Sequence, residues 1–137
     1  MRNMSATAVR RGPAQTFALA MGVVYLLIGV LGFFVTGFDN IAGRTYSDEL
    51  LIFSLNPLHN LVHLALGAAW LWGSRTRALA RTVNLGIGAV LGLVTVLGAL
   101  GALRFLAIED LGAPDNFLHL ITAALALYFA SAGAESS

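Results

Sequence analysis

Apolar residues in this chain come in long uninterrupted runs, not in the alternating or one-face patterns of water-soluble elements. Four such runs stand out, at about residues 17–36, 57–72, 83–103 and 117–132, and no run carries a charged residue in its interior. A bilayer core of roughly 30 Å needs about 20 apolar residues in a helix. The pattern therefore predicts four membrane-spanning α-helices. The second and fourth runs are short, so tilt or the apolar segment Leu50 to Leu55 must supply the missing length. Asn56-Pro57 reads as an N-cap followed by proline at the first helical position, and Gly112-Ala113-Pro114-Asp115 opens the fourth run in the same way. No strand is predicted.

Composition agrees with this pattern. Hydrophobic residues make up 58% of the 137 positions and charged ones 11%, against about 25% charged in a typical soluble domain. Cysteine is absent, which excludes disulfides, thiolate catalysis and cysteine-based metal sites. A net charge of +1 gives no case for nucleic acid. All eight basic residues are arginine, and the abundance of Arg, Ala, Gly and Leu suggests a GC-rich bacterial genome.

Arginine placement orients the helices. Arg2, Arg10 and Arg11 precede the first run, and Arg75, Arg77 and Arg81 lie in the 73–82 connection. The other two connections hold only Arg44 and Arg104, beside Asp39, Asp48, Glu49, Glu109, Asp110 and Asp115. The positive-inside rule then puts both chain ends in the cytoplasm of a bacterial cell and the acidic loops outside. Trp70 and Trp72 are expected at the inner interface. Glycines at 22, 29, 32, 86, 88, 92, 98 and 101, among them Gly88-x-x-x-Gly92, are expected to let helices pack closely.

A short pattern occurs twice: Asn60-Leu61-Val62-His63-Leu64 and Asn116-Phe117-Leu118-His119-Leu120. Gly29-Val30-Leu31-Gly32 echoes Gly98-Ala99-Leu100-Gly101. The expectation is a single domain over residues 1–137, an all-α integral membrane four-helix bundle built from two pseudo-equivalent hairpins related by an axis along the membrane normal. That axis would bring His63 and His119 to one depth, about 8–10 Å inside the outer helix ends.

Asn56-Pro57-Leu58-His59-Asn60-Leu61-Val62-His63-Leu64 with Gly67, Asp115-Asn116-Phe117-Leu118-His119-Leu120 and Gly29-Val30-Leu31-Gly32-Phe33 together resemble the signatures of an uncharacterised, mostly actinobacterial membrane family, domain of unknown function number 4383. The resemblance covers roughly residues 17–130. It implies four membrane helices and no established activity.

Polar residues inside a membrane are costly and point to function by default. His59 and His63 share a helix face at i, i+4, and Asn60 and Asn116 each lie three residues before a histidine. Three roles suit this set. Asn60 and Asn116 would act as structural polar groups, bonding a histidine or the opposite helix. Alternatively, His63 and His119 would hold a haem iron axially, with Gly67 and Ala123 making room for the ring, or His59, His63 and His119 with Asp115 would bind zinc, copper or another transition metal. Thirdly, a paired histidine would sense outer pH or hold a quinone or lipid head group.

No nucleophile elbow or phosphate loop is present, and the sequence points away from an enzyme. The first functional expectation is a small non-enzymatic membrane protein, free-standing, homo-oligomeric or an accessory subunit of a larger membrane complex. The second is a haem or metal redox protein, and the third a channel or transporter protomer. Tyr25 is expected to find a hydrogen bond in the core.

Overall fold

The computed structural model describes residues 10–43 and 48–132. Arg2, Arg44 and both chain ends lie outside the described residues. The fold is all-helical around four α-helices: α1 (Pro13–Thr36), α2 (Pro57–Gly73), α3 (Arg77–Ala99) and α4 (Pro114–Ala132). A 3₁₀ turn covers Arg104–Leu106. Strands β1 (Glu49–Leu50) and β2 (Phe53–Ser54) form a minimal antiparallel hairpin in which Glu49 faces Ser54 and Leu50 faces Phe53. The apolar segment before α2 is therefore a hairpin and not a helical lead-in. Leu51 turns it at φ +59°, a conformation a continuing helix does not allow.

Local chemistry sets the helix ends. Pro13 occupies the first turn of α1, and the Gln15 side chain accepts from the Gly12 amide at 3.1 Å. At α2 the Asn56 side chain accepts from the His59 amide at 2.8 Å, with Pro57 next. Thr76 caps α3 by accepting from the Leu79 amide at 3.1 Å. That cap moves the start of α3 to Arg77, six residues before the expected Val83, so Arg77 and Arg81 lie on helix and not in a loop. Helix α3 also ends before the expected Leu103. Gly101 sits at φ +73°, where a side chain would be strained, and reverses the chain.

At 24 and 23 residues, α1 and α3 are about 36 and 34 Å long, and both are apolar enough to cross a membrane. Helices α2 and α4, at 17 and 19 residues, are about 26 and 28 Å long and carry the histidines.

The helices alternate in direction and pair as hairpins, α1 with α2 and α3 with α4. Glycines set the closest approaches. A Cβ on Gly22 would meet the Leu71 side chain at 2.7 Å, and one on Gly88 would meet Leu127 at 3.0 Å. A Cβ on Gly32 would overlap the side-chain oxygen of Asn60, and one on Gly98 that of Asn116. The offset from Gly22 to Gly88 equals that from Gly32 to Gly98. A second constant offset relates Leu71 to Leu127, Asn60 to Asn116 and His63 to His119. Gly32 thus corresponds to Gly98, one turn away from the alignment suggested by the GVLG and GALG patterns. Gly92 meets nothing within 4 Å, so Gly88-x-x-x-Gly92 is not a packing pair within this chain.

The interior combines small aliphatic, aromatic and polar side chains, while many large apolar side chains face outward. Phe17, Tyr25 and Trp70 meet edge to face, with Tyr25 and Trp70 centroids 5.0 Å apart. Trp70 is fully buried and donates to Asn84 Oδ1 at 3.0 Å, so it belongs to the core and not to an interface belt. Trp72 is half exposed. Leu27, Val30, Leu61, Leu85, Val90, Leu120 and Ile121 all face outward.

Candidate functional site

Just inside the end of the bundle that carries the acidic loops, α2 and α4 bring six polar side chains together. His59, Asn60 and His63 come from α2, and Asp115, Asn116 and His119 from α4. All are at most 4% exposed. The Asn56 and Pro57 start signal places His63 six residues into α2, and Pro114 places His119 five residues into α4, about 9 and 7.5 Å along each helix.

The three histidine rings form a tight triangle. Centroids are 4.4 Å apart for His59 and His63, 6.0 Å for His59 and His119, and 6.1 Å for His63 and His119. One ring nitrogen from each residue lies within 4.8 Å of the others. Asp115 joins the set, with one carboxylate oxygen 3.7 Å from His59 Nε2.

Asp115 is the residue that sequence reading undervalued, although its signal was present. The offset relating His63 to His119 also relates His59 to Asp115. The site is built from two i, i+4 pairs, His59 with His63 and Asp115 with His119, one from each hairpin. The correspondence is hidden in the sequence because the residue type changes from histidine to aspartate while the position does not.

Among the described residues, the buried side-chain nitrogens and oxygens without a protein hydrogen-bond partner all belong to these six residues. They are His59 Nδ1, both ring nitrogens of His63, His119 Nδ1, both carboxylate oxygens of Asp115 and the amide oxygens of Asn60 and Asn116. Buried polar atoms are nearly always paired, so such a concentration calls for a specific cause. The two asparagines have a local one. Each amide oxygen rests against a glycine of the neighbouring helix, Gly32 or Gly98, within reach of weak Cα–H contacts.

Neither asparagine bonds a histidine. Asn60 donates to Thr36 Oγ1 at 2.9 Å, tying α2 to α1, and Asn116 donates to the Asp110 carbonyl at 2.6 Å. Contacts between the hairpins come from elsewhere. The Tyr25 hydroxyl donates to Thr122 Oγ1 at 3.2 Å, joining α1 to α4, as expected of a buried tyrosine. Trp70 and Asn84 join α2 to α3, and Asn84 also donates to the Ala14 carbonyl at 3.1 Å. Thr122 and Asn84 were silent in the sequence because an isolated polar residue in an apolar run says nothing about its partner.

Gly67 and Ala123, expected to make room for a haem ring, pack against neighbouring helices instead. The space beside Gly67 is filled by α1: a Cβ there would meet Leu26 at 2.8 Å and the Gly22 carbonyl at 2.9 Å. Ala123 is buried, with its carbonyl against Gly88. These small residues serve helix packing. The edge of the Tyr25 ring closes on His63 at a centroid distance of 5.3 Å. A bare metal ion, by contrast, needs only the converging nitrogens and the carboxylate.

Residues 15–132 match the family described as Domain of unknown function (DUF4383). No curated protein and no solved structure matches the chain.

Proposed function

The chain belongs to the DUF4383 family, and on that footing we propose that it is a four-span membrane protein that holds one divalent transition-metal ion through His59, His63, His119 and Asp115. The observation that carries this reading is the convergence of three buried histidines whose ring nitrogens, like both Asp115 oxygens, are largely without protein partners. Three neutral imidazoles and one carboxylate make an N₃O set suited to Zn²⁺ and its first-row neighbours. Zinc–nitrogen bonds of about 2.0–2.1 Å set tetrahedral ligand spacings near 3.4 Å. The nitrogens lie within 4.8 Å, so rotation of the rings closes the gap without moving a helix. The carboxylate offsets half of a buried dication's charge, and metal binding would satisfy atoms the fold leaves unpaired.

The four-span reading rests on the inside-out distribution of polarity. Helices α2 and α4 are shorter than α1 and α3, yet they pack along them as hairpin partners and present Leu61, Val62, Phe117, Leu120 and Ile121 outward. In water that surface would cost folding free energy, while in lipid it is the favoured one. Arg10, Arg11, Arg75, Arg77 and Arg81 collect at one end, which is the cytoplasmic end under the positive-inside rule.

Elemental analysis of protein purified in mild detergent tests the site. One zinc or other first-row ion per chain is expected, falling at least tenfold in His63→Ala and in His119→Ala. A metal-free protein that also fails to take up added Zn²⁺ or Co²⁺ would overturn the proposal.

A further inference from the structure

The acidic end of the bundle holds a cavity of about 210 Å³ between the β1–β2 hairpin and the start of α4. Ser54, Glu109, Asp110, Pro114 and Asp115 are among the residues lining it. Asp115 is the significant one. It is 1% exposed, both its oxygens lack a protein hydrogen bond, and it lines this cavity while standing 3.7 Å from His59 Nε2. One carboxylate thus borders both the cavity and the histidine triangle.

We propose that this cavity is the inlet through which a divalent cation reaches the histidines, with Asp115 as the ligand that carries it from one to the other. The inference rests on the metal-site reading above. Approach from the opposite end is blocked by the Phe17, Tyr25 and Trp70 cluster and from the sides by apolar helix faces, where a hydrated cation is heavily disfavoured. The cavity at the acidic end has Glu109, Asp110 and Asp115 in its lining instead. Asp110 is held in place, one side-chain oxygen accepting from the Gly112 amide at 2.8 Å and its carbonyl accepting from Asn116. Arg104 also stands at this end and donates to the Glu109 main-chain carbonyl at 3.4 Å. A recess walled by carboxylates raises the local concentration of cations and speeds their arrival. Asp115 can bind an ion with one oxygen while the first histidine nitrogens displace its water, so the ion never stands without ligands.

The experiment is stopped-flow loading of metal-free detergent-purified protein with Co²⁺, followed by the visible absorption of the bound ion at two salt concentrations. The test variant combines Glu109→Gln with Asp110→Asn. Both changes keep side-chain shape, and the amide introduced by Asp110→Asn still offers an oxygen to the Gly112 N–H. The pair is expected to slow loading about 3- to 10-fold at low salt and to flatten its salt dependence, with excess Co²⁺ still reaching one ion per chain. Asp115→Asn is expected to weaken binding at least tenfold and to change the Co²⁺ spectrum, because an amide replaces a carboxylate ligand. Loading by the double variant at the wild-type rate and salt dependence would overturn the inlet and leave the histidine site standing. Wild-type protein that takes up no Co²⁺ would overturn the metal site, and the inlet with it.

Discussion

At the residue scale, two glycines and two asparagines show how tightly the polar layer is fitted. The Asn60 and Asn116 amide oxygens occupy the space where a side chain on Gly32 or Gly98 would begin. Gly32→Ala and Gly98→Ala must therefore push an asparagine out of place, an overpacking cost of about 1–3 kcal/mol. Gly86 meets nothing within 4 Å, and Gly86→Ala should be neutral or stabilising by up to about 1 kcal/mol through helix propensity. Thermal unfolding in detergent checks the contrast, and equal behaviour of all three would show that the close approaches do not matter. The sequence marked these glycines as packing residues without distinguishing Gly98, which packs, from Gly86 and Gly92, which do not. That distinction depends on which helix face meets a neighbour. Likewise, His59 and His63 were legible as a shared face and Asp115 as a candidate beside them, whereas the 3.7 Å approach of Asp115 to His59 needed the second hairpin in place.

At the element scale, start signals were the most readable feature. Asn56-Pro57 and Pro114 mark helix starts in the sequence and in the structure, because caps act within one turn and need no tertiary partner. Asn56 goes further than a cap. Its side-chain amide also donates to the Gly43 carbonyl at 2.9 Å and the Phe105 carbonyl at 2.7 Å, pinning two loops over the histidine end of α2. Asn56→Ala should cost about 2–3 kcal/mol, since the lost cap leaves two further carbonyls unpaired. Thr76→Ala, a cap at an exposed end, should cost only about 1 kcal/mol. A ranking in the opposite order by thermal melting would mean that Asn56 acts as a cap and nothing more. The start of α3 was misplaced because three arginines read as a loop, while Thr76 capped a helix running through two of them. The β1–β2 hairpin escaped notice because an apolar segment of six residues does not reveal its period.

At the scale of the whole molecule, the buried polar layer and the apolar exterior lead to a topology that can be measured. The natural chain has no cysteine, so single cysteines introduced one at a time report accessibility without background. For a protein with four spans, Leu111→Cys should react with a membrane-impermeant thiol reagent in intact cells, and Arg75→Cys only after the membrane is opened. Reaction of both in intact cells would overturn the four-span proposal. The paired hairpins also explain why the site lies where it does. Equivalent positions on α2 and α4 converge, so one i, i+4 pair from each hairpin supplies half of the proposed four-residue metal site.

Composition, the length of the apolar runs and local start signals determined by themselves that the chain is helical, how many long helices it has and which residues open two of them. These follow from local preferences and from hydrogen-bond needs that each helix meets within itself. Tertiary structure decided which glycines touch, that Gly67 packs against Leu26, and that Asp115 stands beside His59. Those outcomes depend on the rotation and register of one helix against another. That register is set by side chains distant in sequence, and no single segment contains it.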